Sequence, residues 1–396
     1  MPERGSFLRI VVDPTQHAGQ YNMPSRLEKT LHTRFITDLN ELCERLNLSK
    51  ELSSSLKEAT NKYSFLIPES LLDRVKINDL NDPVLKQFLP SPQELEKKEG
   101  FVRDPLSESS ADENAPVDAP FPKGNSCLLQ KYANRVLIIS SNACAGHCRF
   151  CFRRNLHPRP LFPIPQEFSS NRNEEANNAA NFREKDSSAY FDQVFRSVRI
   201  NPNVNEVILS GGDPLTLSND QLKTLLDYIK TIRTVKRVRF HSRVPILVPD
   251  RIDDDFPACE DVDPSNYGAM LVLHLVVHVN SPNEINNRVA KALLELRKRG
   301  YVLTSQTTLL KGINDTRDTL VELFEKLANC GVVPYYLHQL DRVQGAAHFE
   351  TTVKKGLQLM KQISERLPGY AVPKYVREIP GRKSKVNLLA EPDADF

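Results

Sequence analysis

No stretch of this 396-residue chain stays apolar for long enough to cross a membrane. The opening MPERGSFLRIVVDP also lacks the apolar run of a secretory signal. Nor does charge point to a partner. Lys and Arg number 53 against 50 Asp and Glu, and a net charge of +3 is too small to imply nucleic acid or a lipid surface. No basic patch is interleaved with aromatics in the manner of an RNA-binding surface. Cysteine is scarce and uneven: of seven, three fall between positions 144 and 151 while Cys43, Cys127, Cys259 and Cys330 are scattered. That distribution excludes a disulfide framework and fits a reducing cytoplasm. What remains is an ordinary globular balance, 40% hydrophobic and 26% charged, with ample chain to bury a core.

The three clustered cysteines, Cys144-Ala-Gly-His-Cys148-Arg-Phe-Cys151, have the spacing C-x3-C-x2-C. Three thiolates so placed can hold three irons of a cubane iron–sulfur cluster and leave the fourth iron without a protein ligand. An open position on a redox metal is where a small molecule can be bound and activated. The competing reading is a zinc site with His147 or His157 as fourth ligand. Zinc signatures usually come as two separated pairs, however, and no second pair exists here.

The periodicity of the chain changes along its length. Apolar residues recur at helical spacing from Arg26 to Leu48, and Ile67-Pro68-Glu69 places a proline at the front of another expected helix. Residues 104–123 are rich in Asp, Glu, Ser and Pro and read as a linker. Thereafter short apolar runs, Val136–Ile139, Val207–Leu209, Val238–Phe240, Leu271–Val277, Val302–Leu303 and Val332–Leu337, alternate with amphipathic helices. Ser218-Asn-Asp-Gln221 and Ser281-Pro-Asn-Glu284 are capping boxes, and Gly331 is the expected stop of a third helix. Six strands alternating with helices predict a parallel sheet curled as in an α/β barrel, with the chemistry at the carboxyl ends of the strands. The cysteine loop follows the first of these strands. The expected organisation is a mainly helical region with linker over 1–118, a barrel over 119–345 and a C-terminal segment over 346–396. Within the barrel, residues 163–194 are poor in apolar side chains and read as a mobile surface insertion. The segment 253–268, with Pro, Asp and Gly, stands where a helix between strands three and four belongs.

The second strand runs into Ser210-Gly211-Gly212-Asp213, where glycines permit close backbone approach to a ligand. With the cysteine loop one strand earlier, this arrangement resembles the radical S-adenosylmethionine superfamily. Several segments, in order, resemble its lysine 2,3-aminomutase family: LLQKYANRVLIISSNACAGHCRFCFRR, EVILSGGDPLTLS, VRFHSRVPILVPDRI, HVNSPNEI, QTTLLKGIND and PYYLHQLDRVQGAAHF. They are similar in particular to the bacterial branch that makes (R)-β-lysine for elongation factor P. The likeness runs from about residue 64 to 390.

The resemblance implies a partial (β/α)6 barrel, a [4Fe-4S] cluster on Cys144, Cys148 and Cys151, S-adenosylmethionine, and pyridoxal phosphate carried by a C-terminal lysine. By position that lysine is Lys385, seven residues after Glu378, with Lys383 and Lys374 as neighbours that a misalignment would select. Lys131 and Arg135 stand where the family holds the cofactor phosphate; a lysine at 131 offers a point charge where arginine would give a fork. Arg153 matches the residue that pairs with the substrate carboxylate. Asp341 and Glu378 match the acids that hold its ε-ammonium, and two carboxylates facing one cation are reasonable because alone they would repel. Free-standing lysine aminomutases usually have Asp at the second position. Ser210, Gly211, Gly212, Asp213, His278 and Gln306 fall at positions near S-adenosylmethionine, with Arg243 as a further candidate. The implied reaction is migration of the lysine amino group from Cα to Cβ, with free lysine as substrate and flavodoxin or ferredoxin as electron donor. The product would go to an elongation factor P lysyl-ligase. A free-standing aminomutase making β-lysine as a metabolite is the nearest rival. Against it stand Glu378, the LDRVQGAAHF stretch and a chain that stops eleven residues after Lys385. A non-catalytic cluster-binding regulator would be expected to have lost Lys385, Arg153 or Asp341, and all three are present.

Overall fold

The structure, a computed structural model, describes residues 24–108, 127–156, 160–162, 184–259 and 271–393. Its N-terminal region is helical in pieces: α1 (Pro24–Leu31), β1 (Phe35–Ile36), α2 (Leu39–Arg45) and α3 (Lys50–Lys62), followed by β2 (Ile67–Pro68). The helical spacing over 26–48 is thus shared between α1 and α2, with β1 between them. His32 and Asn47 adopt left-handed backbone with φ of 51° and 53°, which stops helix propagation, and β1 pairs antiparallel with β2. Asp38 and Ser49 accept backbone N–H groups at the starts of α2 and α3. Pro68 heads the expected helix, Glu69–Arg74, which is of the 3-10 type.

The chain then lays down β3 (Leu128–Tyr132), β4 (Arg135–Ser141), α4 (Glu184–Ile200), β5 (Glu206–Gly211), α5 (Asn219–Lys230), β6 (Arg237–Ser242) and α6 (Val244–Leu247). It continues with β7 (Val272–His278), α7 (Asn287–Lys298), β8 (Val302–Leu309), α8 (Arg317–Asn329), β9 (Val333–Gln339), α9 (Val353–Ser364), β10 (Lys374–Arg377) and β11 (Val386–Asn387). β3 to β11 form one sheet in sequence order, parallel from β4 to β10, with β3 and β11 added antiparallel at the edges. The six apolar runs seen in the sequence lie in β4 to β9; β10 is a further parallel strand beyond them.

The sheet curls. Lys131 on the edge strand β3 is ion-paired with Glu378, which directly follows β10. In a flat sheet at about 4.8 Å per strand those positions would lie roughly 34 Å apart. The contact therefore brings the two ends of the sheet together, as a partial barrel requires. Helices cover the outside through apolar stripes, such as Leu222, Leu225, Leu226 and Ile229 on α5 and Leu320, Leu323, Phe324 and Leu327 on α8. The buried apolar cluster is continuous from Leu27 and Leu42 through Val207 and Leu275 to Leu359 and Leu388.

Two local expectations change. The capping box at Ser281 and Glu284 is present, but it opens a three-residue 3-10 helix, and α7 starts afresh at its own N-cap, Asn286. The last part of the expected insertion, from Glu184, is helix α4. Tyr190, Phe191, Val194, Phe195 and Val198 supply the apolar stripe that packs it on the core, while residues 163–183 lie outside the described residues. Part of the irregular connection before β7, residues 260–270, lies outside them too. Among the described residues no helix is long and apolar enough to cross a membrane.

Candidate active site

The carboxyl ends of the parallel strands carry the polar residues of interest, and the loop after β4 is the most heavily anchored. Its backbone is held from the N-terminal region, with His147 N–H donating to Leu66 O (2.9 Å) and Arg149 N–H to Gln87 O (2.9 Å). The Arg149 side chain is wholly buried and forks onto Glu94, at 2.9 Å from Nε and 2.7 Å from Nη2. Arg154 pairs with the same carboxylate, so the buried Glu94 charge is compensated from two sides. The N-terminal region thus holds the cysteine loop in place.

Cys144, Cys148 and Cys151 are all reduced and partly buried. Burial, and then the neighbouring sulfurs, push the Cys144 thiol well up and the Cys151 thiol up to about 11. Cys144 feels both Cys151 and Cys148, and Cys151 feels Cys148, so the sulfurs lie within electrostatic reach of one another. Among the described residues no three His, Cys, Asp or Glu side chains converge closely enough to hold a single metal ion. The His147 ring meets Ser64 through Nδ1, at 3.1 Å from both the hydroxyl and the carbonyl, and His157 lies outside the described residues. Three free thiols on one anchored loop are a donor set of the kind that holds an iron–sulfur cluster.

The turn after β5 packs on this loop. Gly212 N–H donates to Ser141 O (2.8 Å) and Asp213 N–H to Ala143 O (2.7 Å). A Cβ at Gly211 would lie 2.5 Å from Ser141 O, and φ there is 120°; a Cβ at Gly212 would lie 2.2 Å from Ala143 O. Both glycines are thus demanded by the contact with the cysteine loop itself. Asp213 is fully engaged within the protein. One oxygen accepts from Ser242 Oγ (2.7 Å) and Leu215 N–H (3.0 Å), the other from the N–H groups of Arg243 (2.7 Å) and Val244 (3.2 Å). It ties the β5 turn to the end of β6.

Arg153 is 12% exposed. Its Nε and Nη2 fork onto Glu108 at 2.7 and 2.8 Å, and its Nη1 donates to Ser210 Oγ at 3.1 Å. Among the described residues three of its five N–H donors are engaged, which leaves one on each terminal nitrogen, enough for a second carboxylate.

On the far side, β10 and β11 pair antiparallel with Arg377 opposite Val386, so the next residues out, Glu378 and Lys385, stand side by side. Glu378 is 11% exposed and ion-paired with both Lys385 and Lys131. Burial alone would raise its pKa, but Lys385 and Lys131 outweigh burial and hold it below the ordinary carboxylate range. Asp341, just past β9, differs. Among the described residues its Oδ1 is sealed from solvent with no hydrogen-bond partner, and burial lifts its pKa to about 7, with Glu378 and Glu108 adding to the rise and Lys385 opposing it. Lys131 is thus turned to Glu378, and Arg135 stacks over Tyr132 at 4.4 Å with its Nε on Asn134 (3.2 Å).

His278 at the end of β7 stands opposite Gln306 on β8 and edge-on to Phe150. Burial, then Arg243, lower its pKa to about 3, so the ring is neutral. Two further imidazoles were not singled out from the sequence: His241 on β6 and His338 on β9. Both are held neutral by burial first, and their cationic neighbours include Lys385. Among the described residues all three Nε2 atoms are sealed and without partners. Three orphaned imidazole nitrogens and one orphaned carboxylate oxygen in one region call for a polar occupant. Their position at strand ends, as for His278, was the signal available in the sequence. Glu108 carried none, because single acids are common in any chain, and the signal at Glu284 was that of a capping box.

No family model matches the chain. It is 34% identical over 374 residues to a protein of Escherichia coli (strain K12) named L-lysine 2,3-aminomutase, covering 94% of this chain and 97% of that one. Proteins of the same name from Buchnera aphidicola subsp. Baizongia pistaciae and Haemophilus influenzae are 33% and 32% identical, covering 93% and 95% of their lengths. Likeness at this level across nearly the whole of several proteins is carried by common descent of the entire fold, and the chain belongs to the lysine 2,3-aminomutase family.

Proposed function

We propose that the protein converts L-α-lysine to β-lysine, using a [4Fe-4S] cluster and S-adenosylmethionine together with pyridoxal phosphate. The observation that carries this reading is the pair of opposed charge sets at the strand ends. Among the described residues Arg153 has two N–H donors to spare on the thiol side, and Asp341 has an unpartnered oxygen beside Lys385 and Glu378. A zwitterionic substrate with a second ammonium fits that pattern of charge.

The residues suit the implied groups. Cys144, Cys148 and Cys151 would hold the cluster, and Lys385 the pyridoxal aldehyde. Lys131 and Arg135 are the cations for its phosphate, Lys131 by leaving Glu378. His278, Gln306 and the turn from Ser210 to Asp213 would face S-adenosylmethionine, although the Gly212 and Asp213 N–H groups are already used in holding the cysteine loop. When bound, these cofactors supply one-electron cleavage and delocalisation of an unpaired electron, chemistry that no side chain provides. What the chain's own residues do is fix lysine at both ends. Arg153 binds the carboxylate, Asp341 and Glu378 the ε-ammonium, and the buried strand ends exclude water.

The finer reading is that the product is (R)-β-lysine destined for elongation factor P, with a small reducing protein such as flavodoxin or ferredoxin as electron donor. It is supported by Glu378 at the second acidic position and by the stretch Leu340–Phe349. The deciding experiment is anaerobic reconstitution with iron, sulfide, pyridoxal phosphate, S-adenosylmethionine and a reductant, then chiral analysis of the products from lysine. β-Lysine is expected from the native protein and none from Cys148→Ala; a colourless protein with stoichiometric zinc would sink the reading.

Glu108 allows a milder test. It holds the Arg153 fork, so Glu108→Ala frees the guanidinium to swing. KM for lysine is expected to rise about tenfold, the order of one lost charge-assisted hydrogen bond, with kcat nearly unchanged. Steady-state kinetics decide: a fall in KM would make Glu108 a competitor of the substrate carboxylate.

A further inference from the structure

Arg243 follows β6 directly and is 6% exposed. Its Nη1 lies 2.7 Å from Cys148 Sγ. Its Nη2 donates to Glu284 Oε2 at 2.8 Å and also to Gln87 Oε1. The guanidinium lies over the Phe88 ring, 4.6 Å from its centroid, and the backbone N–H is fixed on Asp213 at 2.7 Å. Glu284 is itself immobile: wholly buried, its other oxygen accepts from the N–H groups of Asn280 and Ser281 at 2.9 Å and from Gln87 Nε2 at 3.0 Å. Arg243 therefore cannot turn from the sulfur without abandoning a buried carboxylate. Three separated parts of the chain, the 3-10 helix Leu85–Gln87, the end of β6 and the turn after β7, converge to aim one N–H at one thiol.

We infer that Arg243 is a positioning residue that raises the reduction potential of the cluster held by Cys144, Cys148 and Cys151, through its N–H···S bond to Cys148. The inference rests on the cluster reading proposed above. Reduction adds one electron to the cluster and hence one negative charge. A fixed positive charge and an N–H donor at a ligating sulfur stabilise the reduced form more than the oxidised form. In a buried setting solvent and salt screen little of that effect. The bond also accounts for the shape of the network, since Glu284 and Gln87 take the other end of the guanidinium and leave Nη1 to the sulfur.

The test uses the full chain, reconstituted anaerobically, with the potential read from the EPR signal of the reduced cluster. Arg243→Gln, which removes the charge, is expected to make reduction about tenfold less favourable, equivalent to about 59 mV for one electron. Arg243→Lys, which keeps the charge on a shorter donor, should fall between. A native potential in an Arg243→Gln protein with full iron and sulfide would overturn the inference. A second measurement needs no variant at that position. With arginine labelled in ¹⁵N, the reduced cluster should show nitrogen hyperfine coupling that persists in Arg153→Lys, and its absence would also defeat the claim. Failure of the native protein to take up any iron–sulfur cluster would instead remove the cofactor reading on which the claim stands.

Discussion

Lys385→Ala is expected to fold normally, to retain no pyridoxal phosphate and to lose activity by on the order of 10³-fold or more, the scale seen when a covalent catalytic group is removed. The fold should tolerate the change because the Lys385 side chain is 26% exposed and fills no core space. The segment is anchored elsewhere, by Leu388, which is buried and whose N–H donates to Tyr375 O at 3.0 Å. Glu378 would keep Lys131 as partner, so no buried carboxylate is stranded. Stability should therefore change by no more than about 1 kcal/mol. Lys383→Ala and Lys374→Ala are the controls. Both side chains are exposed and should leave cofactor and activity intact. Borohydride fixation followed by peptide mapping gives the answer directly: label on Lys383 or Lys374 in the native protein would refute the assignment of Lys385.

Much of this site could be read in the chain because its logic is local. Three cysteines within one loop, glycines at a strand end and a lysine seven residues after an acid are all spacings along a single segment. The strands β4 to β9 were legible for a similar reason, since each is a short apolar run and all but β4 adjoin a capped amphipathic helix. What escaped was set by partners distant in sequence. β10 is only Lys374–Arg377 in a basic tail, and it becomes a strand because β9 offers an open edge. α4 was hidden by the polar composition ahead of it, although its own stripe of Tyr190, Phe191, Val194 and Phe195 is regular. Glu378 was expected against the substrate only from the likeness to a family, and nothing local showed that it would pair with Lys131 and Lys385 across the two ends of the sheet. Arg243 shows the same limit. Its worth lies in Cys148, Glu284 and Gln87, residues 41 to 156 positions away.

Asp341→Asn is expected to make the ligand-free protein more stable at pH 8 while weakening lysine binding. The two acids near Lys385 are unequal: Glu378 is held charged by two lysines, whereas Asp341 has a folded pKa of about 7. An unfolded aspartate titrates near 3.9. Between those values the folded state keeps a proton that the unfolded state has lost, so native stability falls as pH rises from about 4 to 7 and is flat above. Asparagine does not titrate, so the stability gain of the variant should vanish near pH 4 and be largest above pH 7. The residue is partly exposed although Oδ1 is sealed, so a gain of about 2 kcal/mol at pH 8 is the discounted expectation, read from thermal or denaturant unfolding. The same titration governs substrate. A bound ε-ammonium favours the ionised carboxyl, so lysine should bind with release of roughly half a proton at pH 7, and KM should fall about tenfold between pH 6 and 8 as Asp341 ionises. In Asp341→Asn that pH dependence should flatten. A native KM that ignores pH across this range, or an asparagine variant less stable at pH 8, would show that Asp341 is not the acid waiting for the substrate's charge.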